Sequence, residues 1–471
     1  MTATTAVCVD FGSTFTKAAL VDLAEGRMVA SASQPTTLPS KDGTGDVLDG
    51  YDACLSALVA ADPRAAEAEV LACSSAGGGL RIAVVGNEEL VTAEAGRRVA
   101  LSSGGKVVDV IAAAGSWGRV PGDAPYRVLG HTTRPDVVLL TGGTDGGNAE
   151  VIVRAARDLV ASGWRGPVVV AGNVDARDEV SGILGEVPHV LADNVVPRIG
   201  VLAPGSARAA IREMFLSHVI GGKHLSARAD FTAMVRGATP DLVLTGVELL
   251  ARGLDDAHPG VGDVVVVDVG GATTDVHSVV EVDPEDGSVD ASGLAREVVA
   301  TTPVTRTVEG DLGMRWSAAT TVAEAGLVEL AEAAAHRQAD PSYLPATDEE
   351  RDVDEAIARA AVGLALRRHA GRSRVVVSPE GRVVERTGKD LREVDLLVGS
   401  GGVLRNGRDG VAGRVLSGSV GTDLEGGWQL PQRARVVVDT DYVLAAAGLL
   451  AGPHPAAAHR LVLRVLDTPG G

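Results

Sequence analysis

A short phrase occurs twice in this chain, and the duplication limits the fold more than any other feature. Val7 to Lys17 read VCVDFGSTFTK, and Val265 to Asp275 read VVVDVGGATTD. In each copy an apolar run ends in an acid, Asp10 or Asp268. A glycine follows two places later, Gly12 or Gly270, and small or hydroxyl residues come next. Apolar runs this rich in Val predict buried strands. The acid then stands at a strand end, where sheets present ligands. One Asp-x-Gly is most often only a turn. Two copies in matching order, both with apolar lead-ins, predict a duplicated domain holding one nucleotide between its halves.

The residue types suit a nucleotide and its cation. Asp10 and Asp268 can hold Mg²⁺ directly or through water, because Mg²⁺ prefers oxygen and keeps several waters. Turns at Gly12, Ser13 and Thr14, and at Gly270 and Gly271, let main-chain N–H groups approach phosphate oxygens. Ser13, Thr14, Thr273 and Thr274 can add hydroxyl donors. Lys17, on the outgoing strand, is expected to reach a phosphate as a point charge.

A third Gly-rich stretch, DLLVGSGGVLR from Asp395 to Arg405, predicts a strand running into Gly399, Ser400, Gly401 and Gly402. It is the expected adenosine site, with Arg405 beside it. The glycine spacing fails a dinucleotide fingerprint after Gly402, and the GGK runs at Gly104 to Lys106 and Gly221 to Lys223 lack the rest of a P-loop. Asp145, in LLTGGTDGGN (Leu139 to Asn148), is either a turn residue or one that positions water or contacts a partner. The water-activating group stays open among Asp10, Asp268 and Asp145. Glu309 and Asp311 are candidate polar groups near the nucleotide.

Two phosphate segments and an adenosine segment in this order resemble the superfamily of actin, sugar kinases and heat-shock chaperone ATPases. DFGSTFTK, LLTGGTDGGN, ADNVVP (Ala192 to Pro197), VDVGGATTDVHS (Val267 to Ser278), VEGDLGMR (Val308 to Arg315) and VGSGGVL (Val398 to Leu404) together resemble the glutamate mutase accessory family called GlmL. That family is also labelled MutL and is unrelated to the mismatch-repair protein of that name. The resemblance spans nearly the whole chain. It implies an ATP-dependent reactivating chaperone for an adenosylcobalamin-dependent mutase, with ATP and Mg²⁺ as cofactors, mutase subunits as partners, and lobe movement releasing damaged cofactor. A small-molecule kinase and an actin-like filament or scaffold protein are the rival readings on the same fold. Assembly is open, a homodimer being one option.

With 471 residues the chain has room for about three domains. Hydrophobic residues make up 45% and aromatics only 3%, so the core must be built from Val, Leu and Ala. That suits parallel strands buried on both faces. The net charge is -19 and no Lys/Arg-rich run occurs, which disfavours nucleic acid as a partner. Cys8, Cys54 and Cys73 lack metal spacing and read as reduced, buried thiols of a cytoplasmic protein. The ten histidines show no paired metal spacing and read as structural. No apolar run is long enough to span a bilayer, and no secretory leader is read at the N-terminus.

The expected fold class is α/β: a two-lobed, actin-like ATPase of duplicated ribonuclease-H-like domains with an inserted α/β subdomain. Expected boundaries are 1–85 for the first lobe, 86–205 for the insertion, 206–261 for a helical connection, 262–440 for the second lobe and 441–471 for a C-terminal helix and tail. Strand–turn–helix alternation in 86–204 predicts a parallel βαβ unit. Ala207 to Arg236 is expected to be mainly helical with a break at Gly221 and Gly222, Asp283 to Asp290 an acidic loop, and Val375–Val377 with Val383–Glu385 a hairpin. TDEE at Thr347 predicts a capping box opening a helix to His369.

Overall fold

The computed structural model describes residues 4–39, 45–86, 92–112, 134–281, 302–378, 381–423 and 426–467. The expected acidic loop lies outside them. The chain forms two compact units. One holds the described residues up to Leu244, with Thr302; the other runs from Thr245 to 281 and from Pro303 onward.

In the first unit, strands β1 (Thr5–Phe11), β2 (Phe15–Asp22) and β3 (Arg27–Pro35) form an antiparallel meander. β4 (Glu69–Ser74) pairs in parallel with β1 on its other side. All seven residues of β1 are buried, as a central strand of apolar residues should be. The helix Val47–Ala61 connects β3 to β4 and starts with an Asp46/Asp49 capping box.

A second, wholly parallel sheet follows: β5 (Leu80–Gly86), β6 (Gly105–Ala112), β7 (Val137–Leu140), β8 (Val168–Val170) and β9 (His189–Leu191), in the order β6-β5-β7-β8-β9. Side-chain alternation divides its residues between two cores. Leu80, Ile82, Val84, Val137 and Leu139 share a core with β1 and β2. Ala83, Val85, Val138 and Leu140 pack with residues of the helices Glu150–Ala161 and Arg177–Leu184. The chain then returns as β10 (Val235–Ala238), parallel to β4.

Residues 207–236 are mainly helical, as expected, and the helix breaks directly after Gly221 and Gly222. The helix Gly205–Met214 passes into a single π turn, Phe215–Val219, and a last short turn, Ile220–Gly222. After the helix Ala229–Met234, Val235 and Arg236 open β10 instead of closing a helix. Val235 and Ala238 are buried beside β4, and tertiary pairing overrides the local pattern.

The second unit opens with a small pair, β11 (Gly253–Asp255) and β12 (His258–Pro259). Its main sheet contains β13 (Val264–Val269), β14 (Thr274–Val279) and β15 (Val304–Glu309), all antiparallel. A hairpin of β16 (Arg372–Ser378) and β17 (Gly381–Thr387) precedes β18 (Leu396–Ser400) and β19 (Arg435–Val438). β18 pairs in parallel with both β13 and β19. The sheet order β15-β14-β13-β18-β19 repeats β3-β2-β1-β4-β10 strand for strand, with the same directions. The chain is therefore α/β, with the duplicated ribonuclease-H-like sheets of the actin-like class. The helix Asp348–His369 begins at the Thr347/Glu350 capping box. Its Ile357, Ala361, Ala365 and Leu366 lie in the core beside β13. Among the described residues, no helix is long and apolar enough to cross a membrane.

The two phrases match in register as well as in order. Asp10 faces Lys17 across β1 and β2; Asp268 faces Asp275 across β13 and β14. On the parallel side Asp10 pairs with Cys73, and Asp268 with Ser400.

Candidate functional site

Both phrases end in the same clamp. The N–H of Gly12 donates to the carbonyl of Phe15 at 3.1 Å, and that of Gly270 to the carbonyl of Thr273 at 2.9 Å. A Cβ on Gly12 would lie 2.6 Å from the Phe15 oxygen, so the turn requires glycine there. Ser13, Thr14 and Phe15 are exposed at the first tip, and Gly271 and Ala272 at the second.

Different neighbours hold each turn. In the first, Thr36 at the end of β3 donates its N–H to Thr14 O (2.8 Å) and its hydroxyl to Gly12 O (2.9 Å). Ser75 donates its N–H to Phe11 O, and Ser13 donates its hydroxyl to Ser75 O at 3.2 Å. The Gly-rich stretch Ser74 to Leu80, SSAGGGL, thus abuts the turn. Lys17 is half-buried opposite Asp10.

In the second turn, VEGDLGMR is the buttress. Met314 N–H donates to Gly270 O (3.0 Å), Arg315 N–H to Gly271 O (2.8 Å) and the Ser317 hydroxyl to Ala272 O (2.6 Å). Gly313 is needed for the fit, since a Cβ there would be 2.7 Å from Gly271 O. Thr273 is half-buried, with its hydroxyl 3.4 Å from Asp275. Thr274 is fully buried beneath the turn and donates its hydroxyl to Leu312 O, so it is not among the groups presented at the surface. Asp275 is ion-paired to the buried Arg306 at 2.6 Å. Glu309 and Asp311 both take the Arg368 guanidinium, at 2.9 and 2.7 Å, and that contact holds the Asp311 carboxyl below the usual range. Their place in the structure is this ion-pair cluster within the VEGDLGMR buttress.

Asp10 is 5% exposed. Its Oδ1 accepts a 2.5 Å hydrogen bond from the hydroxyl of Thr239, with the Cys73 thiol 3.6 Å away. Burial and the neighbouring Asp10 push the Cys73 thiol well up. Thr239 is the first residue of the helix Thr239–Arg252, directly after β10. It belongs to none of the sequence motifs, although Thr followed by Pro is a helix-start signature. Asp268 is half-buried. Among the described residues there is no cluster of three or more His, Cys, Asp or Glu that could hold a metal. Single strand-end carboxylates fit the kind of Mg²⁺ site completed by waters and substrate phosphates.

The third Gly-rich turn follows β18. Gly401 has φ +103°, and a Cβ on it would lie 2.2 Å from Val269 O. The turn therefore packs on the strand that carries Asp268. Gly399 faces Leu404 and Leu416, Ser400 is buried, and Gly402 borders open space. The Arg405 guanidinium stacks 4.9 Å from the Tyr442 ring and donates to Thr440 O. Asp439, buried just after β19, accepts the N–H groups of Val443 (2.8 Å) and Leu444 (3.3 Å). Burial pushes its carboxyl up.

Asp145 belongs to a different sheet, in the loop after β7. Its Oδ1 accepts from Asn194 Nδ2 (2.8 Å) and from Val174 N–H (3.2 Å). The same amide of Asn194, 2% exposed, donates to Gly143 O at 3.0 Å. TGGTDGGN and ADNVVP are thus one braced structure.

Comparison with known proteins agrees with the motif resemblance. The chain matches the family described as "MutL protein" over residues 6–466. It is 33% identical over 475 residues to Protein MutL of Clostridium tetanomorphum, covering 97% of this chain and 98% of that one. Solved structures with some likeness include nucleotide-free acetone carboxylase (16% identity, 66% of this chain and 49% of that one, TM-score 0.31). A ROK-family transcriptional regulator homologous to the E. coli MLC protein follows (10% identity, 98% and 81%, TM-score 0.30). Gluconate kinase of Lactobacillus acidophilus is another (12% identity, 98% and 90%, TM-score 0.30). At these scores the likeness is loose, and the fold assignment rests on the sheet topology.

Proposed function

The chain belongs to the MutL protein family, and on that premise we propose that it is an ATPase that reactivates an adenosylcobalamin-dependent mutase, glutamate mutase or a related aminomutase. The observation that carries the nucleotide part is the pair of hairpins with one register and one glycine clamp. In this reading both turns grip a single ATP. Gly12, Ser13 and Thr14 offer main-chain and hydroxyl donors to phosphate oxygens, and so do Gly270, Gly271 and Thr273. Lys17 adds positive charge. Asp10 and Asp268 hold Mg²⁺, which supplies charge neutralisation at the phosphates. The turn from Gly399 to Gly402 takes the adenosine, with Arg405 at its border.

Positioning and electrostatics dominate such chemistry, so the protein's task is to hold these groups still. The buttresses from Thr36 and from Met314 to Ser317 do that. Hydrolysis removes the phosphate both turns share, and the released turns part, which is domain closure run in reverse. That motion loosens the client from a damaged cofactor. Support for a mutase client comes from the family resemblance.

The test is calorimetric titration of the full chain with ATP and Mg²⁺, then steady-state hydrolysis. Asp268→Ala is expected to fold and to lose hydrolysis; an unchanged turnover rejects the cation assignment. ATP-dependent recovery of an inactivated cobalamin-dependent mutase tests the client. Turnover only in the presence of a small phosphate acceptor would indicate a kinase instead.

A further inference from the structure

Asp10 is held by a residue from far along the chain. Thr239 Oγ1 donates to its Oδ1 at 2.5 Å, with both side chains more than nine-tenths buried. Thr239 opens a 14-residue helix, about 20 Å long, that starts in the first compact unit and crosses the Leu244/Thr245 boundary into the second. The start of that helix is fixed by Asp241, 2% exposed and ion-paired to Arg212 at 2.5 Å. Beyond the boundary the helix is pressed close to its neighbour: a Cβ on Gly246 would lie 2.2 Å from Leu444 O.

The second half does not repeat the arrangement. Asp439, which follows β19 as Thr239 follows β10, turns its carboxylate onto the N–H groups of Val443 and Leu444, at the start of the helix Val443–Leu450. The hydroxyl-to-carboxylate link at Thr239 is therefore a particular of the first half and not a by-product of the fold.

We infer that Thr239 is a positioning residue for Asp10 and the point at which the state of that carboxylate is passed to the connecting helix. This rests on the nucleotide reading above. The hydrogen bond fixes the orientation of the carboxylate before any ligand arrives, and such supporting bonds hold a site in working geometry. Because its acceptor is charged, the bond changes strength when a cation comes to Asp10. Thr239 is part of the first helical turn, so that change acts on the helix.

The experiment compares wild type with Thr239→Val, which keeps the shape and removes the hydroxyl, and Thr239→Ser, which keeps the hydroxyl. Calorimetry first establishes ATP·Mg²⁺ binding by the wild type. Hydrolysis is then measured, together with amide exchange of peptides covering 239–252 with and without ATP·Mg²⁺. Thr239→Val should lower kcat about 10–100-fold, the usual size of such supporting effects, with KM for ATP changed less than about threefold. Thr239→Ser should restore most of the rate. ATP·Mg²⁺ should slow exchange along 239–252 in wild type and in Thr239→Ser, and leave Thr239→Val unaltered. If Thr239→Val does not fold, Thr239→Ala replaces it with the same expectations. Wild-type kcat in the hydroxyl-free variant, or an undiminished exchange response, overturns the inference while the nucleotide reading stands. A wild type that binds no ATP overturns both.

Discussion

Gly401 lies against the main chain of Val269 so closely that a methyl group on it would sit 2.2 Å from the Val269 carbonyl oxygen. The expected purine turn and the strand bearing Asp268 are one packed structure within the second unit. Gly401→Ala must move that strand end or the turn, and it also places a side chain at φ +103°. Strain of this kind costs about 1–3 kcal/mol. The variant should lose at least tenfold in ATP affinity by calorimetry and unfold at lower urea. Wild-type affinity would mean that the third turn is not part of the nucleotide site.

Asp354 supports the glycine turn after β13 from behind. It is 5% exposed and accepts Arg315 Nη2 at 2.9 Å and Arg337 Nε at 2.5 Å. Arg315 in turn donates its N–H to Gly271 O. Asp354→Ala leaves two largely buried guanidinium groups without their acid, a loss of about 3–5 kcal/mol. Urea unfolding should show it, and ATP binding should weaken with it. Wild-type stability in this variant would refute the strut.

Two buried histidines set an acid limit on the second unit. Burial, with Arg306 nearby, lowers His277 from its ordinary 6.5 to about 3. Burial, with Lys389 and His277 nearby, places His369 well below its ordinary value. Both are neutral in the folded chain. Below pH 6.5 the unfolded chain binds protons that the folded chain does not, so this stability is present above 6.5 and is lost as pH falls toward 3. Urea midpoints measured between pH 7.5 and 5 should fall. The buried Nδ1 of His277 has no hydrogen-bond partner, so His277→Leu should cost less than about 1.5 kcal/mol at pH 7.5. Its acid slope should be shallower; an equal slope would remove His277 from the account.

Asn194 ties two loops of the parallel sheet through one amide, donating to Gly143 O and Asp145 Oδ1. Asn194→Ala leaves the carbonyl of the buried Gly143 without this donor, at about 1–3 kcal/mol, whereas the exposed Asp145 keeps the Val174 N–H. Limited proteolysis should cut near 141–149 and 193–197 sooner than in wild type, while ATP affinity holds. A parallel loss of ATP binding would instead make Asp145 part of the nucleotide site.

The repeated phrase was legible because strand, acid and glycine are local: period, polarity and conformational freedom mark them without knowledge of the fold. The helix at Thr347 was legible for the same reason, since its capping box closes within four residues. Thr239 was not, because the group that gives it meaning stands 229 positions earlier. Val235 and Arg236 looked helical until β4 supplied their partner. Glu309, Asp311 and Thr274 were the right types near the right motif. Only tertiary structure shows the first two meeting Arg368 and the third turned beneath the turn onto Leu312.

The eighth residue after the strand's acid, counting the acid as first, is a cation in one half, Lys17, and an arginine-bound anion in the other, Asp275. Duplication has thus left two hairpins of one backbone shape and unlike charge, so the same turn can no longer have the same affinity for an anion in both halves.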